Sequence, residues 1–125
     1  MTTQAVITRI LAEILDLHED LIQPETYLIR DLGAESIDLL EIGVAMQHRL
    51  NIPVDDDTLF LKNARTVLAR ARQQGQEPAT ALAAAYPHLG SERLVQILRD
   101  LDEGPVLRVA DLLAYAEAQV RDLEK

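Results

Sequence analysis

The chain has 125 residues, of which 48% are hydrophobic, with no cysteine, no tryptophan and a single phenylalanine. This length suffices for one domain, whose modest core must be built from aliphatic side chains and alanine. The absence of cysteine excludes disulfides and a reactive thiol of the chain's own.

The net charge of −9 is concentrated in residues 1–57, which hold 12 of the 21 acidic residues but 3 of the 12 basic ones. Non-specific nucleic-acid binding depends on Lys and Arg at phosphates, so we expect no nucleic-acid partner. An acidic surface attracts basic partners instead. The first ten residues lack a secretion signal, and no apolar run approaches a membrane span. We therefore expect a cytoplasmic monomer.

Every long periodic segment has helical spacing, and no segment alternates as a strand does. The first predicted helix covers residues 4–17, with its apolar side chains on one broad face. A long connection follows, and the second helix is predicted over residues 36–50, before Pro53, which cannot continue a helix. These spacings predict an all-α domain.

A third long helix is predicted after the acidic triplet 55–57, with Asp57 as N-cap and Gly75 just after its end. Its apolar stripe consists of Phe60, Leu61, Ala64, Val67, Leu68 and Ala71. The triplet lacks the glycine and terminal glutamate of a calcium loop, so capping explains it better and no metal site is predicted.

Three further helices are predicted in the rest of the chain. A weak one lies between Pro78 and Pro87, and the next is capped by Ser91 and closed by Gly104. The last covers about residues 108–123. Its predicted core face consists of Val109, Leu112, Leu113, Ala116, Val120 and Leu123.

The second helix carries two separate apolar stripes. The stripe expected to face the core consists of Leu39, Ile42, Gly43, Met46 and Leu50. The other stripe consists of Ile37, Leu40 and Val44, with Asp38 and Glu41 beside it, a combination that suits a docking surface better than a core. Glycine within a helix costs about 1 kcal/mol relative to alanine, so Gly43 indicates either close helix approach or room for a buried ligand chain.

Ser36 begins this helix between Glu35 and Asp38, and two interpretations of it stay open. It is either an ordinary N-cap, worth about 1 kcal/mol, or the point at which a group is attached. Position 39 is leucine, so a capping box formed from Ser36 is absent. The segment also lacks the G-x-S-x-G elbow, and His48 lies more than three turns along the same helix, which excludes a catalytic serine.

The segment "DLGAESIDLLEI" resembles the acyl carrier protein signature D-L-G-A-D-S-L-D-x-x-E. The matching residues are Asp31, Leu32, Gly33, Ala34, Ser36, Asp38 and Glu41. The agreement extends to the long preceding loop, to "RLNIPVDDD" and to "RVADLLAYAEAQV". The resemblance therefore covers residues 1–57 and 105–125.

This resemblance implies a non-enzymatic carrier in which Ser36 bears 4′-phosphopantetheine as a phosphodiester, attached from coenzyme A by a separate phosphopantetheinyl transferase. Acyl groups would be carried as thioesters on the prosthetic thiol, in fatty acid or specialised, lipid A-like, biosynthesis. The free amides and dipole at a helix N-terminus suit such a phosphate. The expected contacts to basic patches on the transferase and on acyl-transferring enzymes are Glu35, Asp38 and Glu41, with Ile37, Leu40 and Val44 as the apolar part.

The resemblance implies one carrier domain, 1–125: an acyl-carrier-like four-helix bundle with two or three extra helices inserted at residues 58–104. These helices would either enlarge the acyl pocket or form a partner surface, or Lys62, Arg65, Arg70 and Arg72 would simply be a solvated face. Three departures are Glu35 for the usual Asp, Ile37 for the usual Leu, and the non-acidic "QHR" at 47–49.

Two other functions stay open. A carrier for polyketide or peptide assembly is one, although a peptidyl carrier would be expected to have a G-G-x-S core where this chain has "GAES". The other is an unmodified helical interaction or scaffold module that keeps the carrier fold. Addition of phosphopantetheine, measured by intact mass, separates the carriers from the scaffold.

Overall fold

The computed structural model describes residues 1–124, and this part of the chain is all-helical, without a β-strand. Seven α-helices follow one another, together with 3₁₀ turns at Glu19–Leu21 and Leu101–Glu103. Their bounds are α1 Thr3–Leu15, α2 Ser36–Leu50, α3 Asp56–Leu59, α4 Ala64–Gln73, α5 Pro78–Ala85, α6 Ser91–Asp100 and α7 Val109–Leu123. The predicted all-α class is confirmed.

The helices form two groups according to what they pack against. Helix α1 lies against α2 and α7, and the short α3 contacts both α2 and α7. Helices α4, α5 and α6 pack in series, each against the next. One continuous core of buried aliphatic residues joins both groups. Its most deeply buried members include Ile7, Ile10, Leu11, Ile42, Met46, Leu82, Ile97 and Leu112.

The long connection between α1 and α2 is fixed to the segment that precedes α7. The amide of Leu28 donates to the carbonyl of Leu107 at 3.1 Å, and the amide of Val109 donates to the carbonyl of Thr26 at 3.0 Å. Tyr27 and Arg108 form an isolated antiparallel bridge at this place. Backbone pairing therefore holds the residues before Ser36 in place without a sheet.

The single helix predicted after residue 57 is wrong. The chain forms α3, turns at residues 60–63, and begins α4 at Ala64. Leu61 has a φ of +56°, a left-handed conformation that ends a regular helix. Its N-cap is also misplaced, because Asp55 and not Asp57 precedes α3 and accepts a hydrogen bond from the Thr58 hydroxyl at 2.8 Å.

Other helix ends agree more closely. Gly75 follows α4 with a φ of +68°, and the amide of Gln76 donates to the carbonyl of Ala71 at 2.8 Å, as in a Schellman C-cap. Ser91 is the first residue of α6, whose cap position is Gly90, so the predicted cap is one residue off. Leu123 is 60% exposed, which makes its predicted burial wrong.

Candidate functional site

The first turn of α2 begins one residue earlier than an N-cap at Ser36 would require. Glu35 has extended backbone angles and occupies the cap position, and Ser36 is the first residue of the helix. The amide of Glu35 donates to a carboxylate oxygen of Asp38 at 2.8 Å. This is one half of a capping box, counted from Glu35. The interpretation of Ser36 as the N-cap is therefore wrong, whereas the absence of a capping box formed from Ser36 is confirmed within residues 1–124.

The Ser36 side chain is exposed, and its hydroxyl makes no hydrogen bond within residues 1–124. As the first residues of the helix, Ser36 and Ile37 have backbone amides without an intrahelical acceptor. These amides and the helix dipole give the surroundings of the hydroxyl a positive partial charge. The turn thus offers a free oxygen next to an anion-binding helix end.

The second apolar stripe of α2 lies on the surface, as predicted. Ile37 is 62% exposed, Leu40 57% and Val44 53%. The carboxylates of Glu35 and Glu41 are exposed near the same face, and Asp38 is partly buried by its bond to the Glu35 backbone. Five of the six residues predicted as partner contacts lie within about two turns of Ser36, Val44 lies past the middle of α2, and each of the three apolar ones is exposed.

The other stripe of α2 faces the core, and Gly43 explains how closely α3 approaches. Leu39, Ile42 and Met46 are buried. A Cβ placed on Gly43 would lie 2.9 Å from Oδ1 of Asp56 and 3.6 Å from the Phe60 ring. Of the two interpretations of this glycine, the structure supports the close helix approach.

A cleft of about 230 Å³ lies beside this end of α2. Leu39, one turn after Ser36, lines it together with Ile29 of the preceding loop. Most of the remaining wall comes from the two ends of the 58–104 segment and from the residues just after it. That wall consists of Phe60, Leu61, Lys62, Ala64, Arg65, Leu101, Gly104, Pro105, Val106 and Leu107. Sequence reasoning missed this cleft, because it treated residues 57–73 as one straight helix.

A polar cluster, here the Tyr27 cluster, joins the loop before Ser36 to the end of α6. It consists of Tyr27, Arg30, Asp100 and Arg108. The Tyr27 hydroxyl donates to Asp100 at 2.6 Å and accepts from Arg108 at 3.0 Å. The guanidinium of Arg30 donates to the same Asp100 carboxylate at 2.9 Å. The hydrogen bond from Tyr27 is the main cause that holds the pKa of Asp100 below its ordinary value.

The two arginines of the Tyr27 cluster also hold its aromatic ring. Their guanidinium carbons lie 4.4 Å (Arg30) and 4.9 Å (Arg108) from the Tyr27 ring centroid. A second buried contact lies nearby, where Arg93 of α6 donates to both carboxylate oxygens of Asp111 at 2.7 and 2.8 Å. Only 1% of Asp111 is exposed. Sequence reasoning missed all of these pairs, because residues 18 to 81 positions apart on different elements leave no local signal.

Within the described residues, no group of three or more His, Cys, Asp or Glu side chains is placed to hold a metal ion. No described helix combines the length and the apolar character needed to cross a membrane.

The histidines are dispersed: His18 and His48 are exposed, and His88 is partly buried beside Tyr86 and Tyr115. Within residues 1–124, Ser36 forms no hydrogen bond with a histidine.

Comparison with known proteins connects this geometry to a family. The model of the family described as phosphopantetheine attachment site (PP-binding) matches residues 5–71. An acyl carrier protein of Nitratidesulfovibrio vulgaris strain Miyazaki F is 35% identical over 57 residues, which are 46% of this chain and 75% of that protein. An acyl carrier protein of Campylobacter lari is 30% identical over 50 residues, 40% of this chain and 65% of that protein. No solved structure matches the chain significantly.

Proposed function

Because the chain belongs to the phosphopantetheine attachment site family, whose model matches more than half of its length, we propose that Ser36 is the residue that bears the prosthetic group. Members of this family are carriers and not catalytic enzymes, and phosphopantetheine is their cofactor. The observation that carries the proposal is the exposed, unpartnered hydroxyl of Ser36 in the first turn of α2.

The residues around Ser36 fit a phosphodiester. The free amides of Ser36 and Ile37 and the dipole of the 15-residue α2 favour an anion there. Asp38 directs one carboxylate oxygen back to the Glu35 amide and forms no hydrogen bond with the Ser36 hydroxyl within residues 1–124. The Ser36 hydroxyl has no hydrogen-bonded base within residues 1–124, so we expect a separate transferase to activate it and to transfer the group from coenzyme A.

The prosthetic thiol supplies the sulfur that a chain without cysteine lacks, and it holds acyl groups as thioesters. We assign the carrier to acyl intermediates of fatty acid or specialised lipid synthesis, supported by relatives named acyl carrier proteins. The cleft beside Leu39 offers such a chain a place to bury methylenes, each worth about 0.8 kcal/mol.

The uncovered face of α2 is the proposed docking surface for the transferase and the acyl-transferring enzymes. Its carboxylates, Glu35, Asp38 and Glu41, would attract basic patches on these partners. Its apolar side chains, Ile37, Leu40 and Val44, would fill the dry centre of the contact. The support for this assignment is the exposure of Glu35, Glu41 and the three apolar side chains, whereas Asp38 is partly buried.

Residues 1–57 and 105–125 would form the carrier core, and residues 58–104 a helical insertion within one domain. The packing of α7 against α1 supports this division, while α3, which also packs on α2 and α7, spans its boundary. The family match continues to residue 71 and so also includes α4. The family match therefore extends beyond the proposed core boundary at residue 57, through the end of α3 and most of α4.

The decisive experiment measures intact mass after incubation with a phosphopantetheinyl transferase and coenzyme A. The wild-type chain is expected to gain one phosphopantetheinyl group, and Ser36→Ala none. Ser91→Ala is the matched control, because Ser91 is likewise exposed and is the first residue of α6. A gain that survives Ser36→Ala would overturn the site, and no gain with any transferase would favour an unmodified interaction module.

A further inference from the structure

The cleft beside α2 has an apolar floor and a cationic rim. Phe60, Leu61 and Leu107 are each less than 8% exposed and form part of the floor. Lys62 and Arg65 are exposed and are the charged residues that line it, and no carboxylate lines it. In a chain of net charge −9, an acid-free rim with two cations is a local reversal of sign.

Lys62 and Arg65 contact a ring and backbone carbonyls at the rim, and not carboxylates. The Lys62 ammonium lies 5.7 Å from the centroid of the Phe60 ring. One Arg65 nitrogen donates to the carbonyls of Leu101 at 2.6 Å and Gly104 at 3.3 Å. Within residues 1–124 neither cation forms an ion pair with a carboxylate. Both therefore retain their charge for a ligand.

A third cation, Arg30, lies behind the wall and is held by Gly104 and Asp100. Arg30 donates to the same Gly104 carbonyl as Arg65, at 3.0 Å, so two guanidinium groups share one oxygen. Asp100 is the carboxylate paired with Arg30, and it balances one of the two positive charges. The Nε of Arg30 is buried without a hydrogen-bond partner among the described residues. Asp102 and Glu103 precede Gly104 in the chain, but neither lines the cleft.

The break between α3 and α4 creates this arrangement. Leu61 has a left-handed backbone between α3 and α4, and Phe60, Lys62 and Arg65 on either side of it all line the cleft. A leucine in this conformation is strained, and such strain persists only where the surrounding packing imposes it. Leu61 is 6% exposed and is held by that packing.

We propose that this cleft binds an acyl group that ends in a carboxylate, with the apolar floor against its methylenes and the carboxylate at Lys62 and Arg65. The inference rests on the proposed carrier function, because the acyl group arrives on the arm of Ser36. A cavity of about 150 Å³ holds the six carbons of benzene, so about 230 Å³ suits a chain of about five or six carbons with its carboxylate.

The test compares two cargoes of equal carbon number on the intact holo-protein. The transferase loads glutaryl or pentanoyl groups from their coenzyme A thioesters, and hydroxylamine cleavage of each thioester is followed by intact mass. Lys62→Gln is compared with wild type for each cargo separately, so that the intrinsic reactivity of the thioester cancels. Arg70→Gln is the matched control, since Arg70 is an exposed cation of α4 that does not line this cleft.

Lys62→Gln is expected to speed cleavage of the glutaryl thioester about threefold, as for the loss of one partly exposed ion pair. Cleavage of the pentanoyl thioester, and both rates in Arg70→Gln, are expected to stay unchanged. An equal effect on both cargoes would mean that Lys62 contacts the arm's phosphate or nothing anionic, and would overturn the inference alone. Failure of Ser36 to accept any arm would overturn the carrier function with it.

Discussion

Two regions of the molecule differ in how exposed their polar side chains are. One is the open face, the surface of α2 around Ser36 that carries Ile37, Leu40 and Val44. The other is the junction, where the Tyr27 cluster and the Arg93–Asp111 pair connect residues 58–104 to the rest of the chain. Around Ser36 the polar groups are exposed, and the hydrogen bond found there is local, between Glu35 and Asp38. At the junction, the Tyr27 cluster and the Arg93–Asp111 pair are largely buried and join residues far apart in sequence. The exposed side chains around Ser36 are available for binding partners, whereas the buried contacts at the junction hold distant segments of the chain together.

The difference also shows that residues 58–104 are integral to the site. The Tyr27 cluster connects the end of α6 to the loop that leads to Ser36, and the two ends of the segment line the cleft next to α2. A detachable appendage would leave the loop and the cleft unchanged when removed. Here both would lose part of their support, so variants at the junction and on the open face should behave differently.

The largest effect is expected at Asp111, the most buried charged residue of the described chain. Asp111→Ala leaves Arg93 without a carboxylate partner while its side chain is only 13% exposed, and it removes the acceptor for the Arg108 amide. Breaking a buried pair in this way is expected to lower the free energy of unfolding by about 3–5 kcal/mol. Urea denaturation followed by circular dichroism measures it.

Glu117→Ala is the control for that measurement, because Glu117 lies on the same helix α7 and is exposed. Its stability is expected to change by less than about 0.5 kcal/mol. If Asp111→Ala cost no more than this control, the junction would be a loose contact and the contrast with the open face would be lost.

A smaller effect is expected from Tyr27→Phe, which keeps the ring between Arg30 and Arg108 but removes the hydroxyl. Its loss takes a hydrogen bond from the Asp100 carboxylate and one from Arg108. Hydrogen bonds to charged groups are worth about 1.5–3 kcal/mol, and the partial exposure of this cluster favours the lower end. Urea midpoints at pH 7 measure the change.

The same variant has a predicted signature in acid. The pKa of Asp100 is depressed chiefly by the Tyr27 hydrogen bond, so its contribution to stability is present above its unfolded pKa of about 3.9 and is lost as pH falls through the folded pKa. Without the hydroxyl the folded pKa rises, and the acid loss of stability between pH 5 and pH 3 becomes smaller. An unchanged Asp100 titration, measured by NMR, would contradict this assignment.

His88 is expected to have a smaller effect on the pH dependence of stability, at higher pH than Asp100. Burial lowers its pKa, against a smaller opposing influence from Asp111. A histidine with a depressed folded pKa opposes folding when protonated, so stability is expected to fall as pH drops below the unfolded value of about 6.5. His88→Gln should therefore lose less stability than wild type between pH 7.5 and pH 5.5. His48→Gln, at an exposed histidine, should behave as wild type.

The elements with strong local patterns were predictable, and those set by distant contacts were not. The bounds of α2 and its two stripes follow directly from helical spacing, and Ile37 and Met46 lie on opposite faces as predicted. The break at Leu61 was missed because the apolar periodicity of residues 60–71 continues across it. The backbone there is imposed by packing, which overrides local preference.

The candidate site divides in the same way. The position of Ser36 at the start of α2 was predictable from the motif, but the cap was assigned one residue too late, because glutamate is a less favoured cap than serine. The cleft and the Tyr27 cluster depend on residues such as Tyr27 and Asp100, which are 73 positions apart. No spacing within one helix could indicate such a contact.

The smallest effect on stability is expected for a substitution on the open face of α2. The same substitution tests whether this face docks the transferase. Leu40 is 57% exposed, so Leu40→Ser should change the free energy of unfolding by less than about 0.5 kcal/mol. If the face docks the transferase, the same change should lower kcat/KM for modification of Ser36 about fivefold, as loss of one apolar contact. Val95→Ser, on the exposed side of α6, removes a similarly exposed side chain and should leave that rate unchanged. Equal rates for the two variants would leave Leu40 without a docking role, whereas a large loss of stability would mean that the stripe is packed in solution.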